Sequence, residues 1–132
     1  NYNDSLERVF TPESTKRISE ILDSVASDNG SGYRAVIDGY SIAGKTGTAE
    51  MVIDGKYSKD GAKRTYFVGY SPADKPKYIM AVRLDHPKKC FVSWHPTLRN
   101  RCEGSNSASM AFQKAMQRIL INDSEINSQV EG

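Results

Sequence analysis

Within Ala43-Gly44-Lys45-Thr46-Gly47-Thr48-Ala49-Glu50, one lysine, two hydroxyls and two glycines fall inside six residues, a combination that no other part of this chain repeats. Two chemistries use such a set. Gly39-Tyr40-Ser41-Ile42-Ala43-Gly44-Lys45-Thr46 satisfies the phosphate-cradle spacing, in which loop amides and a lysine hold a nucleotide's phosphates. The alternative is an edge strand, where Gly47 has no side chain and lets a substrate backbone lie close.

The flanks discriminate between them. A phosphate cradle needs a strand before it and a helix starting at the lysine and threonine, because helical N–H groups and the helix dipole bind the anion. Gly47 would weaken that helix in its first turn, and Asp54-Gly55 is a hairpin signal only a few residues on. No helix of ordinary length fits between. A strand over residues 40–53, turning at Asp54-Gly55, satisfies the pattern better. On such a strand Lys45-Thr46-Gly47 resembles the K-T-G element of β-lactamases and penicillin-binding proteins. A helix beginning at Thr46 would restore the nucleotide reading.

The elements that must position this strand follow a simple order. Thr11-Pro12-Glu13 is a helix start: threonine can cap, proline is pre-set for the first helical position, and glutamate complements the positive end. Ile18, Ile21, Leu22, Val25 and Ala26 then fall at helical spacing, predicting a face that packs on a sheet, and Asn29-Gly30 ends the helix. Residues 33–37 lean toward β structure, and Asp38-Gly39 turns into the strand. Residues 58–63 are polar and expected to be mobile. Residues 65–70 and 77–84 read as two further strands around the turn Pro72-Ala73-Asp74-Lys75-Pro76, which predicts an antiparallel meander. Residues 85–106 form an irregular excursion holding both cysteines and both histidines, and long loops of this kind are usually functional or disordered. Ser105 or Ser107 can cap a final helix with apolar positions Met110, Ala111, Ala115, Met116, Ile119 and Leu120. Residues 122–132 read as a polar, frayed tail. The fold class is α+β, an antiparallel sheet flanked by helices.

Composition sets the outer bounds. A chain of 132 residues with 38% hydrophobic and 26% charged residues is typical of one soluble globular domain. No apolar run approaches the length of a membrane span, and the first residues lack a signal-peptide layout, so any targeting segment is expected elsewhere. A net charge of +2 and a pI near 8.5 do not argue for nucleic acid. Lys56, Lys59, Lys63 and Arg64 cluster with a single aromatic, Tyr57, and read as a solvated loop. No motif calls for a cofactor.

Three stretches together resemble the C-terminal part of the transpeptidase domain of class B penicillin-binding proteins, especially the cell-division type. They are Val9-Phe10-Thr11-Pro12-Glu13, Ile42-Ala43-Gly44-Lys45-Thr46-Gly47-Thr48-Ala49-Glu50, and Phe67-Val68-Gly69-Tyr70-Ser71-Pro72-Ala73-Asp74. The resemblance runs over about residues 9–120, interrupted by the cysteine-containing excursion, and places residues 1–132 within one such domain. It implies a D,D-transpeptidase that cross-links peptidoglycan and is acylated by β-lactams. Lys45 and the hydroxyls of Thr46 and Thr48 would bind the carboxylate of a D-alanyl-D-alanine stem or a β-lactam. Lys45 would support proton movement, Thr48 would supply an oxyanion-hole amide, and Gly47 would leave room for the substrate. The family's S-x-x-K nucleophile is not found, since no lysine here has a serine three residues before it. Ser27-Asp28-Asn29 matches the family's S-x-N literally but reads as a helix-end turn. The nucleophile is therefore expected on another segment, with these residues inactive alone. Further expected partners are the rest of the domain and divisome proteins, at the periplasmic face of the bacterial inner membrane. A serine β-lactamase or β-lactam sensor, and a non-catalytic structural module, stay open.

His86, Cys90, His95 and Cys102 make a Cys₂His₂ inventory, but the cysteines lack the short arm of a structural zinc site, and no metal is assigned. In the oxidising compartment that the resemblance implies, a Cys90–Cys102 disulfide is favoured, stabilising the loop by about 3 kcal/mol on the chain-entropy account. Two unpaired thiols stay open. Trp94 reads as packing beneath the loop, and the excursion departs from the family pattern.

Overall fold

The computed structural model describes residues 7–59, 61–88, 90 and 102–130. Trp94 and His95 lie outside the described residues. The first element, α1 (Pro12–Val25), begins as its sequence predicts: Pro12 opens the first turn and the Thr11 hydroxyl accepts the Ser14 N–H at 3.2 Å. The chain then turns through Ser27-Asp28-Asn29, where Gly30 N–H bonds to the Ser27 carbonyl, so this S-x-N is a helix-end turn. Residues 33–37 are not a strand. Tyr33–Ala35 is a 3₁₀ turn, and Ile37 bridges Tyr40 across a tight turn with Gly39 at φ 83°.

β1 (Ala43–Glu50), β4 (Lys63–Ser71) and β5 (Tyr78–Asp85) form an antiparallel sheet in the order β1-β4-β5. The expected strand over residues 40–53 ends at Glu50, because Met51 is a branch point. Its N–H bonds to the Ala62 carbonyl, continuing the β1–β4 ladder, while its carbonyl accepts the Ser58 N–H. The latter bond opens a separate ribbon, β2 (Val52–Ile53) with β3 (Lys56–Tyr57), joined by the Asp54-Gly55 turn with φ of 50° and 75°. Positive φ at both central residues is what a two-residue hairpin turn requires. Within residues 58–63, the Ala62 N–H bonds to the Ser58 hydroxyl and Ala62 is buried.

The core lies between the sheet and α2 (Ala108–Leu120), with Phe67 of β4 against Phe112 of α2, ring centroids 4.6 Å apart. The buried stripe of α2 is Ala108, Phe112, Met116 and Leu120, with Ser109 beside it. Ala115 and Ile119, expected in that stripe, are exposed. Ser109 is accommodated because its hydroxyl donates to the Ser105 carbonyl at 2.7 Å. Neither Ser105 nor Ser107 caps the helix through its side chain: the Ser107 hydroxyl turns inward, 3.0 Å from Thr65 Oγ1 on β4. On the other side of the sheet α1 is held more lightly. Tyr70 donates to Ser19 Oγ at 3.1 Å and Ala26 is buried, yet Ile18 and Ile21 remain 56% and 58% exposed. The face that meets the sheet runs through Ser19, Leu22, Val25 and Ala26, rotated from the one the apolar spacing predicts.

Of the tail expected over residues 122–132, the described part, residues 122–130, is not frayed, and residues 131–132 lie outside the described residues. α3 (Ser124–Val130) folds back with Ile126 buried, and Asp123 Oδ1 accepts the Glu125 and Ile126 N–H groups at its start. Asp123 also takes the Tyr78 hydroxyl at 2.6 Å and the Lys77 ammonium at 2.7 Å, with its side chain only 8% exposed. Charge and hydrogen bonds compensate for a sequence too polar to signal a packed helix.

Phe67 occupies a notch walled by glycines. A Cβ at Gly44 would lie 2.7 Å from its ring, at Gly69 2.8 Å, and at Gly32 3.0 Å. Gly44→Ala is therefore expected to destabilise the protein by about 1–3 kcal/mol through overpacking, read by denaturant unfolding, and Phe67→Leu in the same chain should recover part of that loss. The Asp123 contact carries a pH signature. Lys77, then Tyr78, holds the Asp123 carboxyl below the usual carboxylate range, so its stabilisation is complete above about pH 4 and is lost as pH falls toward the lowered value. The Lys77 ammonium is held above its ordinary value by Asp123, then Glu125, so that side of the pairing fails only in alkali. Thermal unfolding should show Asp123→Asn below wild type at neutral pH, with the gap closing below about pH 4.

Candidate active site on the free edge of the sheet

The geometry of Lys45 to Thr48 follows from the phase of the β1–β4 ladder. In an antiparallel pair, opposed residues alternate between those that exchange both backbone hydrogen bonds and those that exchange none. Met51 stands opposite Ala62 in the same register and donates to it at 2.9 Å. Counting back by twos, Ala49, Gly47 and Lys45 also bond into β4. Glu50, Thr48, Thr46 and Gly44 then turn their N–H and C=O groups toward the opposite edge, which no strand occupies among the described residues.

Side chains sort by the same register. Thr46 stands opposite Phe67 and Thr48 opposite Thr65, both buried toward α2, so the two hydroxyls share that face. Lys45 stands opposite the exposed Val68 on the other face. Its side chain reaches back over the edge, and the ammonium donates to the Thr46 carbonyl at 2.9 Å and to Thr46 Oγ1 at 3.4 Å. The edge thus carries an ammonium, two hydroxyls and outward backbone amides. Such a surface can bind a carboxylate and stabilise an oxyanion. At Gly47 the missing side chain has a structural use as well, since a Cβ there would meet Tyr66 Cβ at 3.3 Å.

Two neighbours were not legible as site residues. Ser31 Oγ lies 3.3 Å from Thr46 Oγ1, and Gly104 N–H donates to Thr48 Oγ1 at 3.0 Å. Ser31 reads in sequence only as part of a turn, and Gly104 is 56 positions from Thr48 with no local pattern to link them. The excursion is closed by a Cys90–Cys102 disulfide with Cα atoms 5.5 Å apart, which leaves neither thiol as a zinc ligand. Among the described residues no cluster of three or more His, Cys, Asp or Glu side chains could hold a metal, and no helix is long and apolar enough to cross a membrane. Because β1 is a strand through Lys45 and Thr46, the helix that a phosphate cradle needs is absent, and the nucleotide reading is withdrawn. The ladder phase makes a direct prediction: in hydrogen–deuterium exchange the Thr46 and Thr48 amides should exchange faster than those of Gly47 and Ala49, and the reverse order would contradict the assignment.

Residues 3–117 match the profile of the penicillin binding protein transpeptidase domain. Stage V sporulation protein D of Bacillus subtilis is 40% identical over 82 residues, covering 62% of this chain and 12% of that protein. Peptidoglycan D,D-transpeptidase FtsI of Buchnera aphidicola is 33% identical over 115 residues, covering 86% of this chain and 18% of that protein. The chain thus spans less than a fifth of the length of these two relatives. Among solved structures, the transpeptidase domain of Burkholderia pseudomallei penicillin-binding protein 3 superimposes with a TM-score of 0.68 at 28% identity, over 90% of this chain and 34% of that one. Penicillin-binding protein 3 of Mycobacterium tuberculosis in complex with ampicillin gives 0.64 at 28% identity, over 89% and 27%. The strand that carries Lys45-Thr46-Gly47, the sheet behind it and the flanking helices therefore make this chain a member of the penicillin-binding protein transpeptidase domain family.

Proposed function

We propose that this chain is the K-T-G-bearing part of a serine-type peptidoglycan D,D-transpeptidase that is also the target of β-lactams. The supporting observation is the phase of β1, which turns the Thr46 and Thr48 backbone groups to the free edge and brings the Lys45 ammonium over it. A stem peptide ending in D-alanyl-D-alanine adds along that edge. Its terminal carboxylate meets Lys45 and the hydroxyls of Thr46 and Thr48. A serine from outside these residues attacks the penultimate carbonyl, whose oxygen becomes an oxyanion facing the Thr48 N–H. One such preorganised donor lowers the barrier by roughly 2.7–4 kcal/mol. The ester forms as the amide breaks, and the proton of the serine hydroxyl passes, with the support of Lys45, to the nitrogen of the departing D-alanine. The amine of a second stem then attacks the ester, forming the new amide and returning its proton to the freed serine. A β-lactam follows the first half of this course and stops at the ester.

The site works on the outer side of the cytoplasmic membrane, in the periplasm where a second membrane is present. The disulfide supports an oxidising compartment. Divisome proteins and the remainder of the transpeptidase domain are its partners. The test is acylation of the full-length protein by a fluorescent penicillin, with competition by a D-alanyl-D-alanine peptide. Lys45→Ala is expected to lower the acylation rate constant by about 10²–10³-fold, and residues 1–132 alone should not be labelled. Unlabelled full-length protein would overturn the reading, and rapid turnover of the acyl group would mark a β-lactamase instead.

A further inference from the structure

The segment that follows the disulfide lies directly on the strand carrying Lys45-Thr46-Gly47. Gly104 is buried, and a Cβ on it would come within 2.6 Å of the Gly47 carbonyl oxygen, 2.7 Å of the Tyr66 carbonyl oxygen and 3.0 Å of the Gly47 nitrogen. Its backbone therefore rests on the peptide layer that joins β1 to β4, and from there its N–H reaches Thr48 Oγ1 at 3.0 Å. The neighbouring residues fix it in place. Glu103 and Asn106 form a reciprocal capping box, with Glu103 N–H on Asn106 Oδ1 at 2.7 Å, and the Glu103 carboxylate pairs with Lys63 Nζ at 3.4 Å. Ser107 Oγ contacts Thr65 Oγ1. Cys102, two residues before Gly104, is buried and tied to Cys90.

We propose that the Gly104 amide is a positioning group for the Thr48 hydroxyl, and that the Cys90–Cys102 disulfide keeps it there. The proposal rests on the transpeptidase reading above. A hydroxyl has one proton to donate and lone pairs that accept. With the Gly104 N–H on its oxygen, the Thr48 hydroxyl has its proton left for an acceptor, and the free edge is where a ligand carboxylate would supply one. The bond from Gly104 also polarises the hydroxyl, so that its own donation strengthens. The disulfide closes a separation of 12 residues. Without it, the N-terminal side of Gly104 keeps only the contacts of Glu103 with Lys63 and Asn106, and the Thr48 hydroxyl is held less firmly in its orientation. Gly104 and the two cysteines touch no ligand themselves; their effect passes through Thr48.

The test is a double-mutant cycle on the full-length protein, read by fluorescent-penicillin acylation. Cys90→Ser with Cys102→Ser is expected to lower the second-order acylation constant about three- to tenfold. The loss should appear as a higher half-saturating penicillin concentration, with the limiting rate within about twofold of wild type. In a Thr48→Val background, which keeps the Thr48 amide but removes the acceptor, the same cysteine substitutions should change the constant by less than about twofold. Equal losses in both backgrounds would show that the disulfide acts only as a general scaffold, and no loss in either would show that it has no role at the site; each overturns the proposal. If the double serine variant does not fold, mild reduction of the wild-type and Thr48→Val proteins gives the same comparison. A wild-type protein that penicillin does not acylate would instead overturn the transpeptidase reading.

Discussion

The rest of this structure depends on the seating of Phe67. Its ring fills a space that exists only because Gly44, Gly69 and Gly32 have no side chains, and it is closed from the far side by Phe112. Three separate segments are thereby indexed to one another: the strand before Lys45, the middle strand of the sheet, and the turn that follows α1. A close-packed interior of this kind does not slide by fractions of a residue. A one-residue slip in β1 would place Lys45 against the ring and send every alternate side chain to the wrong face.

That constraint sits one residue from the lysine, and the chemistry inherits its rigidity. Once Gly44 stands opposite Gly69, the alternation of hydrogen bonds decides which amides face outward, and Thr46 and Thr48 are the outward ones. The edge strand is then a fixed row of donors rather than a loop that must be ordered on binding, which is what stabilisation of a developing oxyanion needs. Behind it, Ser31 from the α1 turn and Gly104 from the disulfide-closed excursion approach the two hydroxyls from different parts of the chain. The site is thus a product of the sheet's register together with two loops, and the register comes first.

Much of this was legible in the sequence, for identifiable reasons. The start of α1 is written in Thr11-Pro12-Glu13, the hairpin in Asp54-Gly55, β4 and β5 in their β-branched and aromatic runs, and β1 in the lack of room for a helix between Gly47 and Asp54, because these signals are local. What escaped reading depends on partners far away. The 3₁₀ turn at Tyr33–Ala35 is set by packing against α2 rather than by the β-leaning side chains of Tyr33 and Val36. Phe112 is the centre of the α2 stripe, while Ala115 and Ile119 lie at the edge of a wide apolar face, and spacing alone does not show which part of that face the sheet covers. α3 looked like a tail since its anchoring lies in Asp123 with Lys77 and Tyr78, an interaction across about 45 positions that polar composition conceals. At the site, Lys45, Thr46, Gly47 and Thr48 are contiguous and could be singled out together. Their outward direction could not, since it is a property of the ladder with β4.

The outer edge of β1 is proposed as the surface on which the acyl group is made. A crystal structure of the full-length protein acylated by a penicillin tests it most directly. The expected result places the acyl carbonyl oxygen about 3 Å from the Thr48 nitrogen, with the ligand carboxylate on the hydroxyls of Thr46 and Thr48 and beside Lys45. A ligand bound elsewhere, or an acyl oxygen turned away from the Thr48 amide, would contradict it.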